Sequence, residues 1–381
     1  MKFLHLSDLH IGKKVNEISM LEDQEYILNE ILNMIKTHKP NAVIIAGDIY
    51  DKSIPPTGAV ELLDDFFVSL SKLNVKTYAI SGNHDSAERL AFGARLLENS
   101  GIFLNSGYDK NTQPFDFEDE FGTVKIHLLP FIKPIHIKQQ FEEVEIESYT
   151  DAVKVAIDNM NIDPTQRNLL VTHQFVTGAT KCDSEDISVG GSDNVDVSVF
   201  DDFDYVALGH LHGAQKIKRE TVRYSGTPLK YSFSETKHKK SVPLVTMSEK
   251  GEVNIELLPL EPLHDMVQIK GEYLQVASKE FRSKLKTDDY IRITLTDEND
   301  VPDAMGKLRS IYPNIMKLDY DNKRTKSNEL INAQSDLTKM SPLDLFCDFY
   351  KLQNNQKMTE EQLEFSKNLI EKIWEDESCD L

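Results

Sequence analysis

The sequence is short of cysteine, of long apolar runs and of net positive charge. Its three cysteines, Cys182, Cys347 and Cys379, are far apart and form no Cys-x-x-Cys pair. Neither a disulfide framework nor a structural zinc site is therefore indicated, and a reducing cytoplasm is the expected location. No run approaches the ~18 apolar residues of a membrane-spanning helix. The first residues have the pattern of a strand, not of a signal peptide, so we expect no membrane association.

Positive charge is scarce because 43 Lys and Arg are outnumbered by 63 Asp and Glu, which gives a formal net charge of −20. This balance argues against a protein that grips nucleic acid over its whole surface, since such proteins carry a basic footprint. Two local basic clusters remain, at 216–223 and 237–240. They are either the solvated edge of a hairpin or a local contact for nucleic acid, and the sequence leaves both interpretations open.

The first hundred residues alternate between strand and helix patterns. Strands are predicted at 2–6, 42–46 and 76–80, with amphipathic helices at 21–38 and 58–73 between them. This βαβαβ order predicts a mostly parallel sheet with helices on its faces. A second sheet packed on the first is predicted from strand patterns at 124–129, 168–172, 205–208, 221–224 and 242–247. We expect this first domain to span residues 1–262.

Three further segments are predicted after residue 262. Residues 263–320 have the pattern of a small α+β domain, and residues 321–340 lack periodicity and are expected to form a linker. Residues 341–381 contain two amphipathic helices, the second of which opens with the capping box Thr359-Glu360-Glu361-Gln362. These helices either dock on the body of the protein or bind a partner.

Five polar motifs each follow a predicted buried strand. They are Asp8-Leu9-His10, Gly47-Asp48-Ile49-Tyr50-Asp51, Gly82-Asn83-His84-Asp85, Val171-Thr172-His173 and Gly209-His210-Leu211-His212. Taken singly, several have a structural explanation, since Asp8 could cap a turn and a buried His173 could bond to the backbone. In Gly82-Asn83-His84-Asp85, however, three polar side chains follow an apolar strand, and burying them costs free energy unless they have a function. Since strand ends of a parallel sheet share one rim, the whole set predicts a common site.

The donor groups in these motifs suit two divalent cations. Carboxylate, imidazole and amide groups without thiolate favour Mn²⁺, Fe²⁺ or Zn²⁺. Two ions about 3.5–4 Å apart need a shared anion, and Asp48 is the expected bridge. One site would be completed by Asp8, His10 and His212, and the other by Asn83, His173 and His210.

Such a pair of ions lowers the pKa of a bridging water and directs the resulting hydroxide at phosphorus. His84 is next to the expected ligand Asn83 and is predicted to be a catalytic group that assists the leaving oxygen without binding metal. Asp51 and Asp85 are expected to orient the imidazole ligands. The sequence therefore predicts an enzyme that hydrolyses phosphate esters.

At these residues the chain resembles the calcineurin-like metallophosphoesterase superfamily and, within it, the SbcD family of nuclease subunits. The segment Tyr224–Glu235 and the tail Pro342-Leu343-Asp344-Leu345-Phe346 also resemble that family. The resemblance implies an α/β fold, with a two-sheet metallophosphoesterase sandwich flanked by helices (αββα). A small capping domain and a C-terminal helical pair that binds a partner would follow it.

The resemblance also implies an activity and partners. The activity would be Mn²⁺-dependent cleavage of DNA, as an exonuclease on double-stranded ends and an endonuclease on hairpins. The partner would be the SMC-like ATPase SbcC, bound to a homodimer within a heterotetramer. The helix at 58–73, with Phe66 and Phe67, is one candidate dimer surface. The alternative is a stand-alone metallophosphoesterase acting on small nucleotides or phosphoproteins, which would need neither the extra domain nor the tail.

Overall fold

The computed structural model describes residues 1–182, 185, 193–299, 301–322, 342–354 and 358–377. The chain divides into two compact units. The first consists of Met1–Val267 and Asp288–Tyr290, and the second of Gln268–Thr287 and Ile291–Leu381. From residue 323 onwards, the predicted linker at 321–340 lies outside the described residues.

Within the described residues, the first unit contains two six-stranded sheets. Their strands, with the hairpin pair β2 and β3, are β1 Lys2–Leu6, β2 Lys14–Val15, β3 Ile18–Ser19, β4 Ala42–Ala46, β5 Lys76–Ile80, β6 Ile102–Asn105, β7 Phe115–Asp119, β8 Gly122–Leu129, β9 Arg167–His173, β10 Tyr205–Gly209, β11 Gln215–Ile217, β12 Arg219–Tyr224, β13 Ser241–Met247 and β14 Val253–Pro259. The strand order is β14-β13-β1-β4-β5-β6 in one sheet and β11-β12-β10-β9-β8-β7 in the other. The central strands run parallel in both.

The two sheets pack face to face over one hydrophobic cluster. Phe3, Ile44 and Tyr78 of the first sheet share it with Ile126 and Val171 of the second. Every residue of β4 and of β9 is buried, as expected for central strands covered on both faces. A second cluster joins the outer face of the second sheet to the helix that follows β8, so the predicted α/β sandwich is confirmed.

Helices flank the sheets of this unit. The two long ones, α1 (Leu21–His38) and α2 (Thr57–Lys72), pack on each other, and α2 packs on β5. The shorter ones are Ala87–Ala91, Ala94–Leu97, Pro134–Lys138 and Tyr149–Asp158. Phe66 and Phe67 of α2 are only 2% and 7% exposed, because the helical period places them on the buried face with Leu63 and Leu70. The expectation that these two phenylalanines present a dimer surface is therefore wrong.

The last two strands of the unit correct another expectation. The segment 242–247 was expected in the second sheet, but β13 pairs antiparallel with β1, with Leu4 opposite Leu244. A hairpin then leads into β14, and Ser248 N closes its turn by donating to the carbonyl of Glu252 at 3.1 Å. The apolar pattern at 242–247 correctly predicts a strand. Which sheet that strand joins depends on its pairing with β1, which is distant in sequence.

The second unit contains most of a three-stranded sheet, made of β15 (Met266–Gly271), β16 (Tyr290–Leu295) and β17 (Ile315–Tyr320). Its helices are Tyr273–Val276, Lys279–Arg282, Ala304–Arg309, Pro342–Asn354 and Glu360–Glu377. The capping box of the last helix is confirmed: Gln362 N donates to Thr359 Oγ1 at 3.3 Å, and Thr359 N donates to Gln362 Oε1 at 3.0 Å. No helix in the described parts of the chain has both the length and the apolar character needed to cross a bilayer.

Candidate metal centre

The five polar motifs meet at one rim of the sandwich. Asp8, Asp48 and Asn83 follow β1, β4 and β5, whereas His173 ends β9 and His210 follows β10. The parallel strands of both sheets end here, which brings distant segments of the chain together. All seven predicted ligands lie at this rim, and all but the half-buried Asn83 are buried.

The backbone that carries four of these side chains is strained. The φ angles are +52° at Asp8, +45° at His10, +49° at Asp48 and +107° at His210, in the region that residues with a side chain avoid. Each such residue costs about 1–3 kcal/mol, which the surrounding structure must offset. Backbone hydrogen bonds between the first two motifs do so in part, since His10 N donates to the Asp48 carbonyl at 3.0 Å.

Two glycines allow the motifs to approach this closely. A Cβ atom on Gly209 would lie 1.8 Å from the carbonyl oxygen of Ala46, and one on Gly82 would lie 2.1 Å from Asp48 Oδ1. Both contacts are far inside van der Waals distance. The glycines of these motifs therefore bring the ligand-bearing loops of different strands into contact.

The first half of the cluster contains Asp8, His10 and His212, whose ligand atoms lie within 4.8 Å of one another. His10 Nε2 is 3.1 Å from His212 Nε2 and 3.7 Å from Asp48 Oδ2. Two imidazole nitrogens that face each other at this distance must share a proton or direct their lone pairs at a common cation.

The second half contains Asn83, His173 and His210. Asn83 Oδ1 is 3.0 Å from His173 Nε2 and 2.9 Å from His210 Nδ1. His173 Nε2 is also 3.3 Å from Asp48 Oδ2, and its Nδ1 donates to the carbonyl of Ala46 at 2.8 Å. The same Asp48 oxygen thus lies within 3.7 Å of an imidazole nitrogen in each half of the cluster.

The side chains fit a pair of divalent cations. Nitrogen and oxygen donors dominate, and neither free cysteine of the described residues, Cys182 nor Cys347, belongs to a potential metal-binding group. Two buried ring nitrogens, His10 Nδ1 and His210 Nε2, have no hydrogen-bond partner among the described residues. Buried polar atoms normally have one, so the cluster is incomplete as a purely structural network.

Comparison with known proteins identifies the family. The model of the calcineurin-like phosphoesterase family matches residues 1–214, and that of the Type 5 capsule protein repressor C-terminal domain matches residues 262–354. The chain is 32% identical over 377 residues to the SbcD subunit of the nuclease SbcCD of Staphylococcus epidermidis. That match covers 97% of this chain and 98% of the relative.

The chain belongs to the SbcD family of calcineurin-like metallophosphoesterases. The resemblance expected from the sequence is confirmed. The prediction that the chain is a metal-dependent phosphoesterase is confirmed with it. Among solved structures, TT1561 of Thermus thermophilus matches at 12% identity with a TM-score of 0.39, over 67% of this chain and 98% of that one.

Electrostatics in the SbcD-family centre favour a cation between its two halves. Burial raises the pKa of Asp8 to about 6. Burial also acts to raise the pKa of Asp48, but the neighbouring His173, His10 and His84 hold it well below its ordinary value. Burial acts to lower the pKa of His173, yet the Asp48 carboxylate raises it to about 9. The Asp48 carboxylate and the His173 imidazole thus stabilise each other's charged forms across 3.3 Å.

His84 lies at the open side of the centre, with 20% of its side chain exposed. Its Nδ1 donates to the carbonyl of Asp51 at 2.9 Å, which leaves Nε2 4.0 Å from Asp48 Oδ2. His84 also lies within 4.8 Å of the ligand atoms of His10 and Asp48. Its role as a catalytic group that does not bind metal therefore stays a prediction.

Asp85 does not orient an imidazole, contrary to expectation. Its carboxylate accepts hydrogen bonds from the backbone of Ile49, Tyr50 and Gly82, at 3.1, 2.9 and 2.9 Å. It therefore ties the loop after β4 to the loop after β5. The three donors are backbone N–H groups, and no sequence pattern indicates their positions.

Asp51 does lie beside an imidazole. Its Oδ1 is 3.6 Å from His10 Nδ1 and accepts a hydrogen bond from Lys13 Nζ at 2.6 Å. Lys13 in turn lies over the ring of Tyr231, 5.6 Å from its centroid. Asp51 thus lies beside His10 without a hydrogen bond to its ring, and its role in orienting that imidazole stays a prediction.

Two functional residues were missed in the sequence. Glu235 Oε1 is 3.7 Å from His212 Nδ1, and Lys240 Nζ donates to Glu235 Oε2 at 2.6 Å and to the carbonyl of His212 at 2.9 Å. Burial acts to raise the pKa of Glu235, but His212 and Lys240 lower it to about 2. In the sequence, Glu235 ends the family-like segment Tyr224–Glu235 and Lys240 ends the basic cluster at 237–240, but neither pattern indicates that the two residues contact His212.

Proposed function

We propose that the chain is the nuclease subunit of an ATP-dependent DNA repair and recombination complex. It hydrolyses DNA phosphodiesters, as an exonuclease on double-stranded ends and an endonuclease on hairpins. The observation that carries the proposal is the position of Asp48 Oδ2, 3.7 Å from His10 Nε2 and 3.3 Å from His173 Nε2. The match along 97% of the chain to a nuclease subunit supports DNA as the substrate.

We assign Asp48 to both metal ions, which we propose to be Mn²⁺. One ion would be held by Asp8, His10 and His212, and the other by Asn83, His173 and His210. When bound, the two ions supply an activated water and positive charge opposite a phosphate oxygen. The chain supplies a dry, preorganised arrangement of donors around them.

His84 is assigned to the leaving oxygen. Its Nδ1–H is held by the Asp51 carbonyl, so the ring orientation is fixed and Nε2 faces the cluster. In the protonated ring, Nε2–H can pass its proton to the departing oxygen of the cleaved ester. The exposed edge of the ring leaves room for a substrate to reach it.

We propose that the two C-terminal helices bind the coiled coil of SbcC. Their described side chains include several large apolar residues that are 40–70% exposed, namely Phe346, Phe349, Leu363, Phe365 and Leu369. An apolar helix face of this kind matches the seam of a coiled coil. Deletion of residues 341–381 should abolish co-purification with SbcC and leave the metal content per chain unchanged.

A homodimer within the heterotetramer remains part of the proposal, on a different surface from Phe66 and Phe67. Ile54, Phe92 and Leu96 are 70%, 89% and 74% exposed, in the segments after β4 and β5. Large apolar side chains that are this exposed favour a protein contact, and a second copy of the chain is the proposed occupant. Leu96→Asp should shift the protein from dimer to monomer in sedimentation velocity.

One assay separates this function from a stand-alone phosphoesterase of small nucleotides or phosphoproteins. Linear duplex DNA, a hairpin, a small nucleotide ester and a phosphoprotein are each offered with Mn²⁺, with and without SbcC and ATP. We expect cleavage of the DNA substrates, increased by SbcC and ATP. Hydrolysis of the nucleotide or phosphoprotein with intact DNA, even in the presence of SbcC, would support the alternative.

A further inference from the structure

Two adjacent polar residues at the start of α1 are fully buried. Asp23 is 0% and Gln24 1% exposed. An acidic residue in the first turn of a helix is usual where it is solvated, because it faces the positive end of the helix dipole. Burial of both side chains instead requires that each find its own partners, and these lie in two different parts of the first unit.

Gln24 holds the backbone of the first metal motif. Its Nε2 donates to the carbonyl of His10 at 2.7 Å and to the hydroxyl of Tyr231 at 2.9 Å. Its Oε1 accepts from Gly12 N at 2.9 Å. Tyr231 donates in turn to the carbonyl of Leu9 at 2.6 Å, and its ring packs edge-on against that of His10. Since His10 has a φ of +45°, these bonds hold it in a conformation it would otherwise leave.

Asp23 holds a different part of the chain. Its Oδ1 accepts from the backbone N and from Nδ1 of His264, both at 3.1 Å, and its Oδ2 accepts from the Tyr290 hydroxyl at 2.6 Å. His264 lies three residues before Val267, where the chain first leaves the first unit. Tyr290 is the last residue of the short segment Asp288–Tyr290, in which the chain returns to that unit. These two stretches, 264–267 and 288–290, are called the two chain passages. Tyr290 N also donates to the carbonyl of Asp265 at 2.8 Å. The Asp23 carboxylate thus accepts hydrogen bonds from both passages.

We propose that Gln24 is a positioning residue for the metal ligand His10, and that Asp23 couples this positioning to the two chain passages. Adjacent residues of one helical turn move together, so a displacement of His264 or Tyr290 shifts the start of α1 and, through Gln24, the carbonyl of His10. The inference rests on the proposed role of His10 as a metal ligand. It adds a residue that acts through that ligand without touching the substrate.

The first test is a Mn²⁺ titration of the full chain. Gln24→Leu removes the amide at similar volume, and we expect one of the two ions to bind about 10–100-fold more weakly while the other is unaffected. The matched control is Asn168→Leu, which removes another buried amide, one that donates to the carbonyls of Asp163 and Gln166. It should lower thermal stability and keep both affinities. Unchanged binding of both ions by Gln24→Leu would overturn the positioning role.

The second test needs no metal and follows hydrogen exchange in the metal-free chain. Tyr290→Phe removes one hydroxyl from Asp23, and Asp23→Asn weakens all its contacts. We expect the amide of Gly12 to exchange about tenfold faster in both, the effect of losing roughly one hydrogen bond. Faster exchange confined to residues 264–267 and 288–290 would overturn the coupling.

The two tests also separate this inference from the proposed function. A wild-type chain that binds no Mn²⁺ and cuts no DNA overturns the proposed function, whereas the exchange result for Gly12 stands by itself. The converse result is a wild-type chain that cuts DNA normally, while Tyr290→Phe leaves the exchange rate of the Gly12 amide unchanged. That result would keep the proposed function and contradict the coupling.

Discussion

Lys240 donates a hydrogen bond from its buried Nζ to the carbonyl oxygen of His212 at 2.9 Å, and a second to Glu235 Oε2 at 2.6 Å. A buried ammonium group is therefore bonded both to the backbone of a proposed metal ligand and to the carboxylate beside its ring. A buried pair of this kind is expensive to break from one side only, since the remaining charge stays buried and loses its oppositely charged neighbour.

We expect Lys240→Met to lower the free energy of unfolding by about 3–5 kcal/mol, because it leaves the Glu235 carboxylate buried and without its ammonium partner. Urea unfolding measures the change. The matched control is Lys216→Met, which breaks the exposed ion pair with Glu220 and should cost at most about 1 kcal/mol. Equal losses in the two variants would contradict the buried charge pair.

Acid stability should depend on His127. Burial lowers the pKa of His127 to about 4, against an ordinary value of 6.5, so the folded protein keeps the ring neutral. Between these values the unfolded chain binds the extra proton, and stability falls as the pH falls from 6.5 towards 4, by up to about 1.4 kcal/mol per pH unit. Urea unfolding across this range should show a shallower slope for His127→Gln. Parallel profiles would contradict the shift.

His84 and Asp48 should separate catalysis from metal binding. His84→Gln is expected to keep two ions per chain and to slow DNA cleavage by about 10²–10⁴-fold, the usual contribution of a general acid. Asp48→Ala should lose metal as well as activity, because Asp48 is the proposed ligand of both ions. Elemental analysis and a cleavage time course measure the two effects. A His84→Gln variant that cleaves at the wild-type rate would refute the leaving-group role.

Gly209 should be irreplaceable for steric reasons. Gly209→Ala places a Cβ 1.8 Å from the Ala46 carbonyl, so the two sheet ends must separate, with a loss of about 1–3 kcal/mol or more. Gly107→Ala is the control, since nothing lies within 4 Å of its added Cβ. Thermal unfolding of both variants tests this, and a Gly209→Ala protein with the wild-type midpoint would show that the rim can adjust.

The parts of the fold that sequence predicts well are those set by local patterns. The bounds of β1, β4 and α1 match the predictions because an unbroken apolar run and a helical apolar stripe each define one element. The ligand motifs were found for the same reason, as polar residues directly after such runs. Phe66 and Phe67 show the limit, since their hydrophobicity marked an apolar face and did not show whether it faces the core or solvent.

What sequence did not predict depends on pairings between distant segments. β13 joins β1 across almost the whole first unit, and Gln24 meets Tyr231 across a comparable separation. Glu235 and Lys240 look like ordinary surface charges until the fold buries them beside His212. Such residues have no periodicity or motif of their own, because their role comes entirely from the position of their partners.

The left-handed backbone at Asp8, His10 and Asp48 has a consequence for evolution and engineering. These positions favour glycine conformationally, so selection for thermal robustness alone would replace them and gain stability. Aspartate and histidine at these positions therefore lower the stability of the rim while they supply its donor groups. Directed evolution of this chain towards heat resistance, without a demand for activity, would be expected to erase its ligand-bearing loops first.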